Sequence, residues 1–197
     1  MAMPLSVPVS LLQFWAFLGL SLLFFIFLFR AMSRRTKETQ AKRDRRSQLG
    51  ILLQSVGIAL AGFGPARATL AALSPASLLG TAGVALLMCG SIALFASSSR
   101  ALGQNWSIVA RTRSDHELVR SGPYARVRHP IYLGMLLFLL ALAVAVGHWL
   151  QLIAAIPVFL IGTFIRTRIE DRLLEQTFGD AFRDYRNSTP ALIPRLF

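Results

Sequence analysis

Long apolar runs constrain the fold of this chain more than any other feature of its sequence. The first, Leu11–Phe29, contains no charged residue, and as a helix it would be about 28 Å long, enough to cross the hydrocarbon core of a bilayer. Further runs follow at Leu49–Phe63, Leu78–Ala96, Ile131–Val146 and Leu150–Ile165. With 54% hydrophobic and 15% charged residues, the chain is too apolar for an ordinary soluble domain. The sequence therefore predicts an all-α, polytopic membrane protein with about five transmembrane helices.

Positive charge is concentrated in the polar segments between these runs. The formal net charge is +12, which in a soluble protein would suggest binding to nucleic acid. Here the Arg and Lys residues flank apolar runs, in 30–48 and 97–130, so the positive-inside rule explains them and we expect no nucleic-acid partner. The rule places both segments in the cytoplasm and the N-terminus outside, and in a bacterium the membrane would be the inner one. Binding of anionic lipid headgroups by 30–48 is the less favoured alternative.

Cys89 is the only cysteine, so an intramolecular disulfide and a cysteine-based metal site are excluded. It stands in an apolar run, where we expect a small buried packing residue rather than a nucleophile. The sequence has no His-Glu-x-x-His motif, no Walker loop and no Gly-x-Gly-x-x-Gly after a strand, the motifs that would indicate a zinc or nucleotide site. We therefore expect no metal.

The fourth and fifth apolar runs are joined by only Gly147-His148-Trp149, a spacer so short that the two helices should form an antiparallel hairpin. Each run would be about 24 Å long as a helix, so the hairpin 131–165 barely spans the bilayer or thins it locally. Its second helix returns Arg166, Arg168 and Glu170 to the level of Arg128 and His129, about one helix spacing away. At the opposite end of the hairpin we expect a solvated His and an interfacial Trp.

The segment 121–132 carries a dense set of polar side chains where the fourth helix should leave the bilayer. Gly122-Pro123 forces a turn, and Pro130 disfavours helix at His129 while it suits the first turn of the next helix. Such side chains could hold a zwitterion, with aromatic faces for a cation or a purine. The alternative, equally weighted on these residues alone, is that the Arg residues anchor helix ends and Glu170 neutralises them. The convergent set is Arg126, Arg128, His129, Arg166, Arg168, Glu170 and Asp171, with Tyr124 and Tyr132.

The segment Arg166–Tyr185 has apolar residues at near-helical spacing, which predicts an amphipathic C-terminal helix. Gly179 weakens this helix and is the point at which it would divide into two. We expect it to pack over the polar cluster or to lie on the membrane surface.

Three motifs of the C-terminal half resemble the signature of the isoprenylcysteine carboxyl methyltransferase family. They are His116-Glu117-Leu118-Val119-Arg120-Ser121-Gly122-Pro123-Tyr124, Arg128-His129-Pro130-Ile131-Tyr132-Leu133-Gly134, and Glu170-Asp171-x-Leu173 with Phe178-Gly179 and Tyr185. The resemblance implies a methyltransferase-like region at 98–197, made of a cofactor segment, the hairpin 131–165 and the C-terminal helix. Residues 1–97 match only as three transmembrane helices with the basic loop 30–48.

The family is integral to the membrane and transfers a methyl group from S-adenosyl-L-methionine to the carboxylate of a prenylated cysteine. The resemblance implies the same cofactor here, a lipophilic or prenylated substrate, and an active site on the cytoplasmic side. Arg166 is implied to be the catalytic residue that orients the acceptor, and Arg111 or a neighbour is a candidate replacement for a family contact that is usually an amide. The implied cofactor contacts are His116, Leu118, Val119, Tyr124, His129, Pro130, Tyr132 and Glu170.

This chemistry needs no general base, because an acceptor carboxylate with a pKa near 4 is already ionised at neutral pH. The chain departs from the family in being much shorter than its eukaryotic enzymes and in having Asp171 where Glu is common. Since relatives with this signature methylate other acceptors, a small thiol or a phospholipid-like acceptor is an alternative. A non-catalytic membrane protein that retains the fold is the rival from a different class.

Overall fold

The computed structural model of the chain describes residues 6–33, 42–43, 46–103, 111–112 and 117–193. These residues are mostly helical, as the sequence predicts. The helices are α1 (Leu11–Ser33), α2 (Arg46–Gly62), α3 (Pro75–Leu102), α4 (Pro130–Val146), α5 (Leu152–Phe178) and α6 (Asp180–Ser188), with a short 3-10 helix at Gly122–Ala125.

Among the described residues, three helices are long and apolar enough to cross a membrane: α1, α3 and α5. The apolar helices α2 and α4 are shorter, with 17 residues each, or about 26 Å at 1.5 Å per residue. The structure thus agrees with an integral membrane protein, and the count of five spans stays a prediction.

Two short strand pairs connect the segments between the helices. β1 (Pro8–Val9) pairs in parallel with β3 (Arg67–Ala68), with Pro8 opposite Arg67. β2 (Lys42–Arg43) pairs antiparallel with β4 (Arg111–Thr112), with Lys42 opposite Thr112. The first pair therefore joins the segment before α1 to the α2–α3 connection, and the second joins the α1–α2 connection to the one after α3.

Helix α2 packs antiparallel against α5 at unusually short range. A Cβ built on Gly57 would lie 2.8 Å from Phe159 Cβ, and one built on Gly162 would lie 2.7 Å from the carbonyl oxygen of Gly50. Small residues let helix backbones approach each other closely within a membrane. Gln54 Nε2 also donates a hydrogen bond of 2.9 Å to Thr163 Oγ1 across this interface.

Helix α3 packs against both α1 and α4. Phe24 of α1 lies between Phe95 and Phe138, with ring centroids 5.1 and 5.3 Å away. On α4, Gly134 brings the backbone so close that a Cβ there would lie 3.2 Å from the carbonyl oxygen of Ser91. The Gly-, Ala- and Ser-rich composition of α3 thus serves close helix contact, as the sequence indicates.

The expected hairpin differs from the observed packing. Gly147 ends α4 in the left-handed conformation (φ 76°), and the connection to α5 is short, as predicted. However, α4 packs mainly on α3, and α5 packs mainly on α2, so α4 and α5 contact each other less than they contact these partners. The physical reason is that glycines on α2, α4 and α5 make these other interfaces the closest ones.

Large apolar side chains cover much of the outer surface of the helices, as expected for contact with lipid. Trp15 and Phe29 on α1 are 64% and 72% exposed, and Leu86 on α3 is 76% exposed. Cys89 is exposed as well, so the expectation of a buried packing residue is wrong. Its position on α3 turns it away from the faces that contact α1 and α4.

His148 lies at the end of the bundle where α4 ends, and the expectation that it is solvated is wrong. The His148 side chain is fully buried, and its Nε2 lies 3.4 Å from the carbonyl oxygen of Pro65. The segment before α1 lies against this end of α4, where the amide of Val7 donates a hydrogen bond of 2.9 Å to the Gly147 carbonyl. Trp149 is half exposed, as an interfacial residue should be.

Candidate active site

The segment before α4 presents its side chains from a constrained backbone. Gly122 has φ 62°, a conformation that glycine adopts at low cost, and it opens the 3-10 helix that carries Tyr124. His129 is not helical (φ −126°, ψ 59°), and Pro130 occupies the first turn of α4. His129 and Tyr132 thus lie within one turn of each other at the start of α4.

The other side of the site comes from α5, which does not stop at Ile165 but continues to Phe178. Arg166 and Glu170 lie one turn apart on the same face of this helix, and Arg166 Nη2 donates to Glu170 Oε1 at 3.2 Å. The Arg166 side chain is buried. Gly179 then interrupts the helix with φ 55°, and α6 begins, as the sequence predicts.

Hydrogen bonds and ion pairs connect Glu170 and Asp171 of α5 to Arg166, Tyr132, His129 and Arg128. We call these six residues the network, and Glu170 is at its centre. Besides the bond from Arg166, its Oε1 accepts a hydrogen bond from the Tyr132 hydroxyl. Its Oε2 lies 3.4 Å from His129 Nδ1. One carboxylate therefore joins α5 to the start of α4, at the point where the sequence predicts the two polar clusters to converge.

Asp171 makes a second connection beside the first. Its Oδ1 lies 2.9 Å from His129 Nε2, and its Oδ2 lies 3.1 Å from Arg128 Nη2. Because both ring nitrogens of His129 face a carboxylate, its ring is fixed in orientation. The charged pairs are at least three-quarters removed from solvent, which strengthens them relative to surface pairs.

The residues that follow α6 pack against the segment that carries Arg128 and His129. The amides of Arg128 and His129 donate hydrogen bonds of 2.9 Å each to the carbonyls of Pro190 and Ala191. The Arg128 guanidinium also donates to the carbonyl of Arg186 at 2.9 Å and to that of Thr189. The 189–191 segment is thus held against the backbone of the Arg-His pair.

Aromatic rings line the network. The rings of His129 and Tyr132 are stacked, with centroids 5.7 Å apart, and the Arg166 guanidinium carbon lies 5.1 Å from the Tyr132 centroid. Tyr124 is buried, and its carbonyl accepts a hydrogen bond of 2.6 Å from the Tyr185 hydroxyl of α6. Helix α6 therefore packs over the polar cluster, one of the two arrangements that the sequence predicts.

The carboxylates determine the charge of His129. Burial alone would lower the pKa of this histidine, but its hydrogen bonds to Asp171 and Glu170, together with their charges, raise the pKa from 6.5 to about 9. Burial, with the nearby charge of Glu170, raises the pKa of Tyr124 well above its ordinary value. At neutral pH, His129 is therefore a cation and Tyr124 a neutral phenol.

Comparison with known families identifies the region that contains this site. Residues 78–181 match the family described as phospholipid methyltransferase. The chain belongs to this family. The match includes the 3-10 helix, all of α4 and α5, and both carboxylates of the network.

Two relatives of this chain have isoprenylcysteine methyltransferase names, which confirms the resemblance seen in the sequence. The chain is 38% identical over 96 residues to the protein-S-isoprenylcysteine O-methyltransferase of Schizosaccharomyces pombe, a match of 47% of this chain and 40% of that protein. It is 31% identical over 96 residues to the enzyme of that name from Saccharomyces cerevisiae, covering 47% and 39%. It spans about two fifths of the length of these curated relatives.

The chain is also similar to a methyltransferase with a different named substrate and to a solved structure. The chain is 40% identical over 75 residues to methanethiol S-methyltransferase 2 of Bradyrhizobium diazoefficiens, covering 38% of this chain and 27% of that protein. Among solved structures, the eukaryotic intramembrane Ras methyltransferase ICMT matches with a TM-score of 0.52 and 21% identity, over 76% of this chain and 52% of that one. The structural match shows a shared fold.

Most of the implied site residues meet in the structure of this family member. Tyr124, His129, Tyr132, Arg166 and Glu170 lie in or beside the network. Pro130 is fully buried at the start of α4. Their assignment to a cofactor or an acceptor stays a prediction.

The remaining implied residues lie elsewhere or outside the described part. Leu118 and Val119 are half-buried in the segment before the 3-10 helix, and their role stays a prediction. His116 lies outside the described residues. For Arg111 the structure describes the backbone in β4, and its side chain lies outside the description.

Two arginines of the predicted cluster are exposed rather than buried in the network. Arg126 is exposed. Arg168 is exposed too and packs over the ring of Phe164, with its guanidinium carbon 4.3 Å from the centroid. Residues two apart on a helix face about 200° apart, so α5 cannot direct both Arg166 and Arg168 into the network.

The sequence motifs do not predict the contribution of α2 or of the 189–191 segment. Gly50 and Gly57 are seven residues apart, two turns of a helix, which is the spacing of a close helix contact. That spacing is a signal for the α2–α5 interface. The backbone hydrogen bonds of 190 and 191 leave no comparable trace in the sequence.

Proposed function

We propose that this protein transfers a methyl group from S-adenosyl-L-methionine to a lipophilic acceptor at the membrane, with the carboxylate of an isoprenylcysteine-like compound as the acceptor. The observation that carries the proposal is the buried network in which Glu170 meets Arg166, His129 and Tyr132. It lies at one end of membrane helices, inside the segment that matches the methyltransferase family.

The residues present fit the proposed cofactor. Glu170 is the most open member of the network, with 24% of its side chain exposed, so its carboxylate can meet hydroxyl or ammonium groups of a ligand. The stacked rings of His129 and Tyr132 offer a face for a cation or a purine. S-adenosyl-L-methionine, when bound, supplies the electrophilic methyl group.

Arg166 is the proposed partner of the acceptor carboxylate. A guanidinium binds a carboxylate through two parallel hydrogen bonds, which fixes its orientation as well as its position. Arg166 Nη2 is held by Glu170, and the guanidinium lies over Tyr132, so little side-chain freedom remains to be lost on binding. Holding two reactants in line can supply a large part of the rate enhancement.

The charge balance of the network favours an anionic acceptor. Its ion pairs hold three cationic side chains, since His129 is protonated at neutral pH, against two carboxylates. An acceptor carboxylate would neutralise the remaining positive charge. Such an acceptor is already ionised at pH 7, so no residue of the chain has to act as a general base.

The site is proposed to face the cytoplasm. It lies at the end of the bundle where α2 and α4 begin, and in the chain the basic segments 30–48 and 97–130 lead into these two helices. The positive-inside rule places such segments on the cytoplasmic side.

Titration of the detergent-purified protein with S-adenosylhomocysteine by calorimetry tests the cofactor half of the proposal. We expect saturable binding, and a loss of at least about 10-fold in affinity on Glu170→Ala, equivalent to about 1.4 kcal/mol. Asp184→Ala is the matched control, because it also removes one carboxylate and Asp184 is exposed on α6. A folded wild-type protein that binds no S-adenosylhomocysteine would indicate the non-catalytic rival.

The acceptor half needs a separate assay with the isolated protein. Transfer of labelled methyl to a prenylcysteine analogue, lost on Arg166→Ala, is the expected result. A small thiol is the second candidate, because the chain is 40% identical over 75 residues to a methanethiol S-methyltransferase. Methylation of a thiol or a phospholipid with no activity on the prenylcysteine carboxylate would reject the preferred acceptor and keep the cofactor assignment.

A further inference from the structure

A glycine of α2 lies directly against the side chain of Arg166. A Cβ built on Gly50 would overlap Arg166 Cγ and would lie 3.2 Å from Arg166 Cδ. It would also lie 2.8 Å from the carbonyl oxygen of Gly162, one turn earlier on α5. Gly50 itself is buried. The space into which a side chain would extend is therefore occupied by the aliphatic part of Arg166.

The contact is reciprocal, which fixes the relative position of the two helices. A Cβ on Gly162 would lie 2.7 Å from the Gly50 carbonyl oxygen and 2.8 Å from the Gln54 amide nitrogen. These two neighbours are backbone atoms, which cannot move aside as a side chain can. One turn further along α2, the Gln54–Thr163 hydrogen bond of 2.9 Å closes the same interface.

We infer that Gly50 is a positioning residue for Arg166 and, through it, for the acceptor carboxylate. The part of the inference that concerns the acceptor rests on the proposed function, whereas the positioning of Arg166 by Gly50 does not. Because Arg166 passes over a surface without a side chain, its stem lies flat on α2 and its guanidinium reaches Tyr132 and Glu170. Gly50 lies outside the 78–181 segment that matches the family, so this part of the chain completes the site.

A second glycine of α2 provides a matched control. A Cβ on Gly57 would meet Phe159 Cβ at 2.8 Å and the Ala155 carbonyl oxygen at 2.9 Å. Its approach to backbone is therefore about as close as that of a Cβ on Gly50, which would lie 2.8 Å from the Gly162 carbonyl oxygen. Gly57 lies two turns along α2, about 10 Å from Gly50, and it faces the apolar half of α5. Alanine at either position must separate the helices, but only at Gly50 does it displace Arg166.

The kinetic test compares Gly50→Ala with Gly57→Ala in the full-length protein. We expect Gly50→Ala to lower kcat/KM for the acceptor by about 10- to 100-fold, as small misplacements of reacting groups do. The affinity for S-adenosylhomocysteine should change less than about threefold, well under 1.4 kcal/mol, because Glu170 keeps its contacts with His129 and Tyr132. Gly57→Ala should lose similar thermal stability while its acceptor kinetics stay near those of the wild type.

A spectroscopic readout keeps the inference testable whatever the activity. The Nε resonance of Arg166 in protein with 15N-labelled arginine can be assigned through Arg166→Lys, and it should shift in Gly50→Ala and remain in place in Gly57→Ala. Equal effects of the two variants on this resonance would overturn the positioning role. A wild type without cofactor binding or methyl transfer would reject the proposed function alone, and the resonance would still decide the role of Gly50.

Discussion

Raising the pH above neutrality should destabilise the fold, because His129 is charged between two carboxylates. Its pKa rises from the ordinary 6.5 to about 9 in the folded chain. A cation whose pKa is raised by folding contributes its full stabilisation below pH 6.5 and loses it as the pH passes through about 9. The loss should therefore fall between about pH 6.5 and 9.

The size of the effect follows from the same two values. At about 1.4 kcal/mol per pKa unit, the rise from 6.5 to about 9 corresponds to about 3 kcal/mol. That is a large fraction of the 5–15 kcal/mol that typically separates folded from unfolded states. For a chain of this size, the thermal midpoint should fall by an amount on the order of 10 °C.

Two measurements check this prediction. Thermal unfolding in detergent at a series of pH values between 6 and 10 should show the fall in midpoint. Histidine ring resonances should show one group with a pKa near 9, and since the chain has three histidines, His129→Gln assigns it. Asp171→Asn removes one of the two carboxylates and should lower both the pKa of His129 and the pH dependence of the midpoint.

Asp184→Asn is the control for that variant, because Asp184 is exposed on α6 and its charge change is the same. It should leave the midpoint's pH dependence as it is in the wild type. A wild-type midpoint that stays constant from pH 6 to 10, or a His129 that titrates near 6.5, would show that the two carboxylates do not hold the ring in its charged form.

Two further variants test contacts around the site and at the opposite end of the bundle. Tyr185→Phe removes the 2.6 Å hydrogen bond to the Tyr124 carbonyl and should cost about 1 kcal/mol of unfolding free energy in a denaturant titration; an unchanged midpoint would mean that the bond does not stabilise α6. Gly147→Ala places a side chain at φ 76°, where its Cβ would overlap the Val7 carbonyl, and should cost about 1–3 kcal/mol. A thermal midpoint equal to that of the wild type would show that the close contact between Gly147 and the Val7 carbonyl does not restrict residue 147.

The sequence predicts the helices well because each apolar run has a clear boundary. Gly179 separates α5 from α6 and Pro130 begins α4, as its backbone restrictions require. The convergence of His129 and Glu170 also follows from two runs of equal length joined by a short turn. These features depend on local properties of the chain, which is why they can be found without a structure.

The helix partners could not be found in the same way. A short connection between α4 and α5 brings their ends together, but the closest interface of each is decided by where small residues face one another across space. Gly50 and Gly162 are far apart in sequence, and nothing in either run indicates the other. The exposure of Cys89 and Arg168 was missed for a related reason, since an apolar or basic run does not show which face meets lipid.

Glu170 and Asp171 are consecutive, yet they have different partners because successive residues of a helix face about 100° apart. Both oxygens of Asp171 are engaged, by His129 and Arg128, and Arg128 is itself bound to the 189–191 segment. A short acid is sufficient there, because Arg128 reaches it at 3.1 Å. The departure from the Glu common at this position therefore fits a residue that fixes the His129 ring. Glu170, the more exposed of the two, is therefore the carboxylate that we propose to meet the cofactor.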